Sequence, residues 1–132
     1  PEYYQYRKPE CTVTSSLTFR ENKPLERCAT YKGDAASTRA AKAGDWVEFT
    51  FKEPLDASYI KITMGYKHLY RRLIYKGHVE VSYNGETFVR LGNLLNGLFV
   101  LHPKEKIYAI RVVSDGISDA EEYVIIQPLE IK

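Results

Sequence analysis

Gly44-Asp45-Trp46-Val47-Glu48-Phe49-Thr50-Phe51 decides how this chain is read. Val47, Phe49 and Phe51 alternate with Trp46, Glu48 and Thr50, the two-residue period of a strand with one buried face. Gly44-Asp45 marks the turn before it, and Glu53-Pro54-Leu55-Asp56 is expected to end it. The same alternation returns on both sides. Tyr59–Met64 places Ile60, Ile62 and Met64 inward, and Val79–Tyr83 is a further strand. Asn84-Gly85 then leads into Thr87–Leu91, and Asn-Gly between two alternating runs is a strong hairpin signal, because both residues tolerate positive φ. Tyr108–Val113 reads as a strand with Tyr108, Ile110 and Val112 on one side. Tyr123–Gln127 and Leu129–Ile131 form the last strand, with Pro128 as a bulge or edge position, and Thr12–Ser16 is a weaker first strand. Short, evenly spaced strands with turn residues between them imply an all-β antiparallel sandwich or jelly roll of about eight core strands.

The 132 residues suit one domain. Net charge is +2, so bulk polyanion binding is excluded, although Lys67, Arg71, Arg72 and Lys76 lie together without an acidic neighbour. Tyrosine is over-used, with 11 residues against 5 Phe and 1 Trp, which favours strands and contact surfaces. No apolar run reaches the roughly 20 residues needed to cross a bilayer, so no membrane insertion is expected. No signal peptide is visible, and a chain opening at Pro1-Glu2-Tyr3 without methionine reads as a domain of a longer protein. Cys11 and Cys28 match no zinc spacing; a disulfide and two separate buried thiols both remain open.

The order of landmarks resembles a known family. Thr12-Val13-Thr14-Ser15-Ser16 leads to Ala29-Thr30-Tyr31-Lys32-Gly33-Asp34 and Ser37-Thr38, then to Gly44–Phe49, to Val79-Glu80-Val81-Ser82-Tyr83-Asn84-Gly85-Glu86-Thr87-Phe88, to Ile110-Arg111-Val112 and to Ile125–Ile131. This series is similar to discoidin-like (coagulation-factor C-type) domains. It looks most like the accessory domain near the C-terminus of bacterial family 20 glycoside hydrolases, the β-N-acetylhexosaminidases or chitobiases. Relatives include the family 32 carbohydrate-binding modules. The resemblance implies a discoidin-like, galactose-binding-domain-like jelly roll over residues 11–132, with residues 1–10 a tail or linker. It implies a secreted or periplasmic protein whose partners are an N-acetylhexosamine- or galactose-type glycan and the parent's catalytic domain.

The resemblance also implies a calcium-type loop, here degenerate, at Lys32, Gly33, Asp34, Ser37 and Thr38. Lys32 stands where sugar-binding relatives carry an Asp, and Gln127 or Pro128 stands where a Glu closes their site. Calcium needs about six to eight oxygens, anionic ones among them, so no metal and no cofactor are expected. Lys32 is expected either to replace the ion with its ammonium or to point to solvent.

Catalysis has little support. Asp115, Asp119, Glu121 and Glu122 read as a solvated loop rather than a facing carboxylate pair. His68, His78 and His102 are scattered, and neither a nucleophile elbow nor a phosphate loop occurs. The binding candidates lie in Gly65–Tyr75, where aromatics alternate with cationic donors. Rings stack on the C–H face of a pyranose, and planar donors reach paired hydroxyls. Tyr66, His68, Tyr70, Arg71 and Arg72 are the expected ligand-binding residues. The competing reading is a structural domain that braces a catalytic neighbour. Single-strand nucleic-acid binding also suits basic residues among tyrosines, but the near-neutral charge and missing RNA motif count against it, so no nucleic-acid partner is expected.

Overall fold

The computed structural model describes residues 5–66, 74, 76–116 and 122–132. Among these residues, ten strands and one short helix follow in the order β1 (Cys11–Ser15), α1 (Glu26–Ala29), β2 (Ala35–Ala36), β3 (Trp46–Leu55), β4 (Ile60–Thr63), β5 (Gly77–Ser82), β6 (Val89–Asn93), β7 (Leu98–Leu101), β8 (Ile107–Ser114), β9 (Ile125–Ile126) and β10 (Glu130–Ile131). A five-stranded sheet runs β1-β3-β8-β5-β6, a three-stranded sheet runs β10-β4-β7, and β2 pairs with β9. Every pairing is antiparallel. The chain is an all-β sandwich, as the alternation implied.

The alternating runs supply the core. Val47, Phe49 and Phe51 of β3, Ile110 and Val112 of β8, and Val79 and Val81 of β5 point inward and meet Ile60, Ile62 and Met64. Each such side chain contributes about 1.5–3 kcal/mol by leaving water. Trp46, Glu48, Glu80 and Arg111 occupy the alternate positions, on the outer face.

Four expectations change in detail. Glu53-Pro54 does not end β3, which continues to Leu55. The proline sits where the ladder shifts register, between Thr50↔Ala109 and Leu55↔Ile107, so its missing N–H costs no ladder bond. Tyr108 lies opposite that same irregularity and is 38% exposed, not inward. Its ring lies over Gly85 instead, 3.3 Å from where a Cβ would stand. The Asn84-Gly85 hairpin forms, but only Gly85 has positive φ, at 82°. Asn84 works through its side chain: Oδ1 accepts from the amides of Glu86 (2.8 Å) and Thr87 (2.9 Å). The C-terminal strand is two strands, because Gln127-Pro128-Leu129 crosses from the β2 pairing to the β4 pairing.

Cys11 and Cys28 are separate buried thiols. Cys28 Sγ donates to Ile126 O at 3.2 Å, and burial pushes its thiol up to about 12. Burial raises Cys11 too, so both behave as packing residues rather than nucleophiles.

Gly77 opens β5 in a tight place. A Cβ there would stand 2.8 Å from Val113 O and 3.0 Å from both Ile74 Cγ2 and Leu94 Cδ1. Gly77→Ala is expected to cost about 1–3 kcal/mol, read as a lower urea midpoint at unchanged slope.

Candidate functional site

The register gathers several connections at one end of the sandwich. Trp46 pairs with Val113, Gly77 with Ser114, His78 with Asn93, and Thr63 with Leu98. The connections 38–45, 64–76, 94–97 and 115–124 therefore leave the sheets at that end.

A carboxylate clamp holds the first of them. Arg39 donates to both oxygens of Asp45 (2.7 and 2.9 Å), Lys42 N donates to Oδ2 (2.8 Å), and Ser16 Oγ donates to Oδ1 (2.8 Å). The Gly44 amide donates to Ser114 O and the Ser114 amide to Asp45 O, so the corner is stitched to β8. The Arg39 guanidinium, followed by the Lys42 amide and Ser16 hydroxyl, holds the Asp45 carboxyl well below the usual carboxylate range. Four donors occupy this carboxylate, which makes it a fastener rather than a ligand group.

Of the expected binding residues, Tyr66 is placed at this end, 37% exposed. The connection it begins is tied by Gln127 Nε2 donating to Gly65 O at 3.0 Å, and Ile74 is buried near its far side. His68, Tyr70, Arg71 and Arg72 lie outside the described residues. Beside this connection is a cleft of about 390 Å³ lined by Lys76, Gly77, Arg90, Asn93, Leu94 and Asp115. Arg90 donates to Asn93 Oδ1 at 2.8 Å, and Asp115 accepts from His78 Nδ1 at 2.9 Å. Cationic, amide and carboxylate groups from β5, β6 and the end of β8 thus face one space. Asp115, read from the sequence as part of a solvated loop, is exposed there and also accepts from the buried His78. Arg90 and Asn93 carried no sequence signal, because only strand pairing brings them to Lys76.

Another cleft, of about 300 Å³, lies on the flank between Tyr6, Arg7, Tyr31, Gly33 and Gln127–Glu130. Its polar tips are engaged: Arg7 donates to Asp56 O (2.6 Å) and Tyr31 Oη to Pro9 O (2.6 Å). The loop end is the better candidate.

The calcium-type loop is held by cations other than Lys32. Lys32 is exposed, the solvent-facing one of its two expected placements, and makes no side-chain bond among the described residues. Arg27, from α1, donates Nε to Asp34 O at 2.7 Å, and its guanidinium lies 2.5 Å from where a Cβ on Gly33 would be. Lys23 pairs with the Asp34 carboxylate at 2.9 Å. Ser37 Oγ donates to Arg39 O and accepts from Val124 N, and Thr38 bonds Thr18. A donor set already met by two cations does not fit a hard divalent ion.

No family model matches the sequence, and no curated protein matches it. Solved structures do. The family 32 carbohydrate-binding module of C. perfringens NanJ, in complex with galactose, shares 12% identity at a TM-score of 0.68, over 96% of this chain and 97% of that one. A chitosan-binding module from a Paenibacillus sp. IK-5 chitosanase/glucanase shares 11% identity at 0.68, over 98% and 99%. The lectin binding domain of lectinolysin, as a histidine mutant complexed with Lewis b, shares 8% at 0.68, over 97% and 95%. The fold is that of these galactose-binding-like β-sandwiches, and the structural neighbours are carbohydrate-binding modules.

Two outcomes check this geometry. Calcium or a chelator is expected to leave the melting temperature unchanged, while Arg27→Ala lowers stability by about 1–2 kcal/mol in chemical denaturation. Asp45, ionised far down in the folded state, stabilises fully above its unfolded value near 4 and loses that contribution as pH falls below it. Asp45→Asn is expected to cost about 2 kcal/mol at neutral pH and to flatten the acid limb of stability below pH ~4.

Proposed function

We propose that this chain is a non-catalytic carbohydrate-binding domain that takes its ligand at the loop end. The observation that carries this reading is the cleft of Lys76, Arg90, Asn93 and Asp115 at the loop end, the end at which the exposed Tyr66 also leaves its strand. Cationic and amide donors with a carboxylate acceptor suit the paired hydroxyls of a sugar. The likeness to modules holding galactose, Lewis b and, in a further Clostridium perfringens example, GalNAc-β-1,3-galactose supports the same class of ligand. His68, Tyr70, Arg71 and Arg72 belong to the same connection as Tyr66 and are proposed to complete the site.

The motif order supports a finer reading, an accessory domain of a secreted or periplasmic glycosidase of the β-N-acetylhexosaminidase type. One observation favours a bracing role in addition. Leu91, Leu95 and Val100 are exposed around β6 and β7, with Leu95 at 75%. Such a surface suits a neighbouring domain.

Calorimetric titration with galactose, N-acetylgalactosamine, N-acetylglucosamine and chitooligosaccharides tests the proposal. Binding at millimolar affinity or tighter is expected, weakened about tenfold or more in Asn93→Ala and in Arg71→Ala. Absence of heat with every sugar overturns it and leaves the bracing role.

A further inference from the structure

The outer face of the five-stranded sheet carries a polar ladder that the loop-end site does not use. Glu48 of β3 pairs across with Arg111 of β8, and Arg111 with Glu80 of β5. Arg111 Nε donates to Glu48 Oε1 at 2.9 Å and its Nη1 to Glu80 Oε1 at 3.2 Å. Its guanidinium stacks on the Phe88 ring, 3.6 Å from the centroid. The second oxygens are also engaged, Glu48 Oε2 by Thr50 Oγ1 at 3.2 Å and Glu80 Oε2 by His78 Nε2 at 2.9 Å. One step along the strands, Trp46 pairs with Val113 and Val113 with His78.

These two rows enclose a groove of about 420 Å³, lined by Gly44, Trp46, Glu48, Glu80, Arg111 and Val113. That volume falls within the roughly 300–1,000 Å³ of small-ligand sites. His78, 7% exposed, stands between this groove and the loop-end cleft, so the two are distinct. Three contacts fix Arg111, and each carboxylate oxygen keeps a lone pair for a further donor. Trp46 brings an indole face and an N–H that bonds nothing among the described residues.

We propose that this groove is a second glycan subsite, selective for an amino sugar with a protonated amine. The apolar C–H face of the pyranose lies on Trp46, and its hydroxyls donate to Glu48 and Glu80. Three carboxylates, Glu48, Glu80 and Asp115, outnumber the Arg111 guanidinium and the His78 imidazole that they share, so the cluster keeps an excess negative charge to meet the ammonium. An N-acetylated sugar lacks that charge.

Trp46 is the chain's one tryptophan, so its emission reports on this groove alone. A glucosamine oligomer, titrated in mildly acidic buffer, is expected to change Trp46 emission saturably. The N-acetylated oligomer is expected to bind this groove at least about tenfold more weakly. Glu48→Gln and Glu80→Gln, each checked for an intact urea transition, are expected to weaken the response about tenfold. Asn93→Ala, in the loop-end cleft, is expected to leave it unchanged. No emission change up to about 10 mM glucosamine oligomer overturns the subsite, even where calorimetry shows sugar binding at the loop end. An equal response to both oligomers overturns the charge selectivity. A response lost in Asn93→Ala and kept in Glu48→Gln assigns the signal to the loop end and overturns the subsite.

Discussion

Phe49 faces Ile110 across β3 and β8, and Ile110 faces Val81 across β8 and β5. Beside them Val47, Val112 and Val79 form a second inward row. A slip of one residue would turn both rows to solvent and drive Glu48, Arg111 and Glu80 into the core. Each buried apolar side chain gains about 1.5–3 kcal/mol, whereas a partly exposed cross-strand ion pair gains roughly 0.2–1 kcal/mol. The core therefore sets the register, and the outward charges go where the core puts them. Both candidate surfaces depend on this, since the same pairings bring Lys76, Asn93 and Asp115 to one end and Trp46, Glu48 and Arg111 to one face.

Ordering the 38–45 connection and the stretch between α1 and β2 costs conformational entropy. Two charged fasteners offset part of that cost. Asp45 gathers Arg39, the Lys42 amide and Ser16 into one cluster. Arg27 and Lys23 do the corresponding job around Asp34, on the stretch between α1 and β2. A guanidinium suits this because it is planar, permanently charged and donates in fixed directions. Lys32, closer in sequence, is a flexible point charge and stays in solvent.

What was legible in the sequence divides along the same physical line. Trp46–Phe51, Tyr59–Met64 and Val79–Tyr83 were readable because one buried face imposes a period of two. Leu98-Phe99-Val100-Leu101 forms β7 without alternation and gave no such signal. Pro54 and Tyr108 were misread for one shared reason, a register shift that no local pattern encodes. At the loop end, Tyr66 was singled out as a candidate because aromatics and cations alternate in one segment. Arg90, Asn93 and Asp115 were not, because their proximity to Lys76 exists only after β5, β6 and β8 have paired. Arg27 was missed because the cation was sought inside the loop rather than on the helix before it.

The likeness to solved modules at 8–12% identity sharpens the distinction between fold and ligand. At that distance few residues are shared, yet a core kept in volume and patterning is enough to specify a sandwich. Those modules hold ligands as different as galactose and Lewis b, so the architecture itself selects none of them. Selectivity has to come from side chains that the core does not need. In this chain those are the outward ladder positions of β3, β5 and β8 and the ends of the connections. His78 belongs to both sets: its Nε2 meets Glu80 on the sheet face, and its Nδ1 meets Asp115 at the loop end. One nearly buried imidazole thus fixes a carboxylate in each region, while the linings of the two surfaces stay separate.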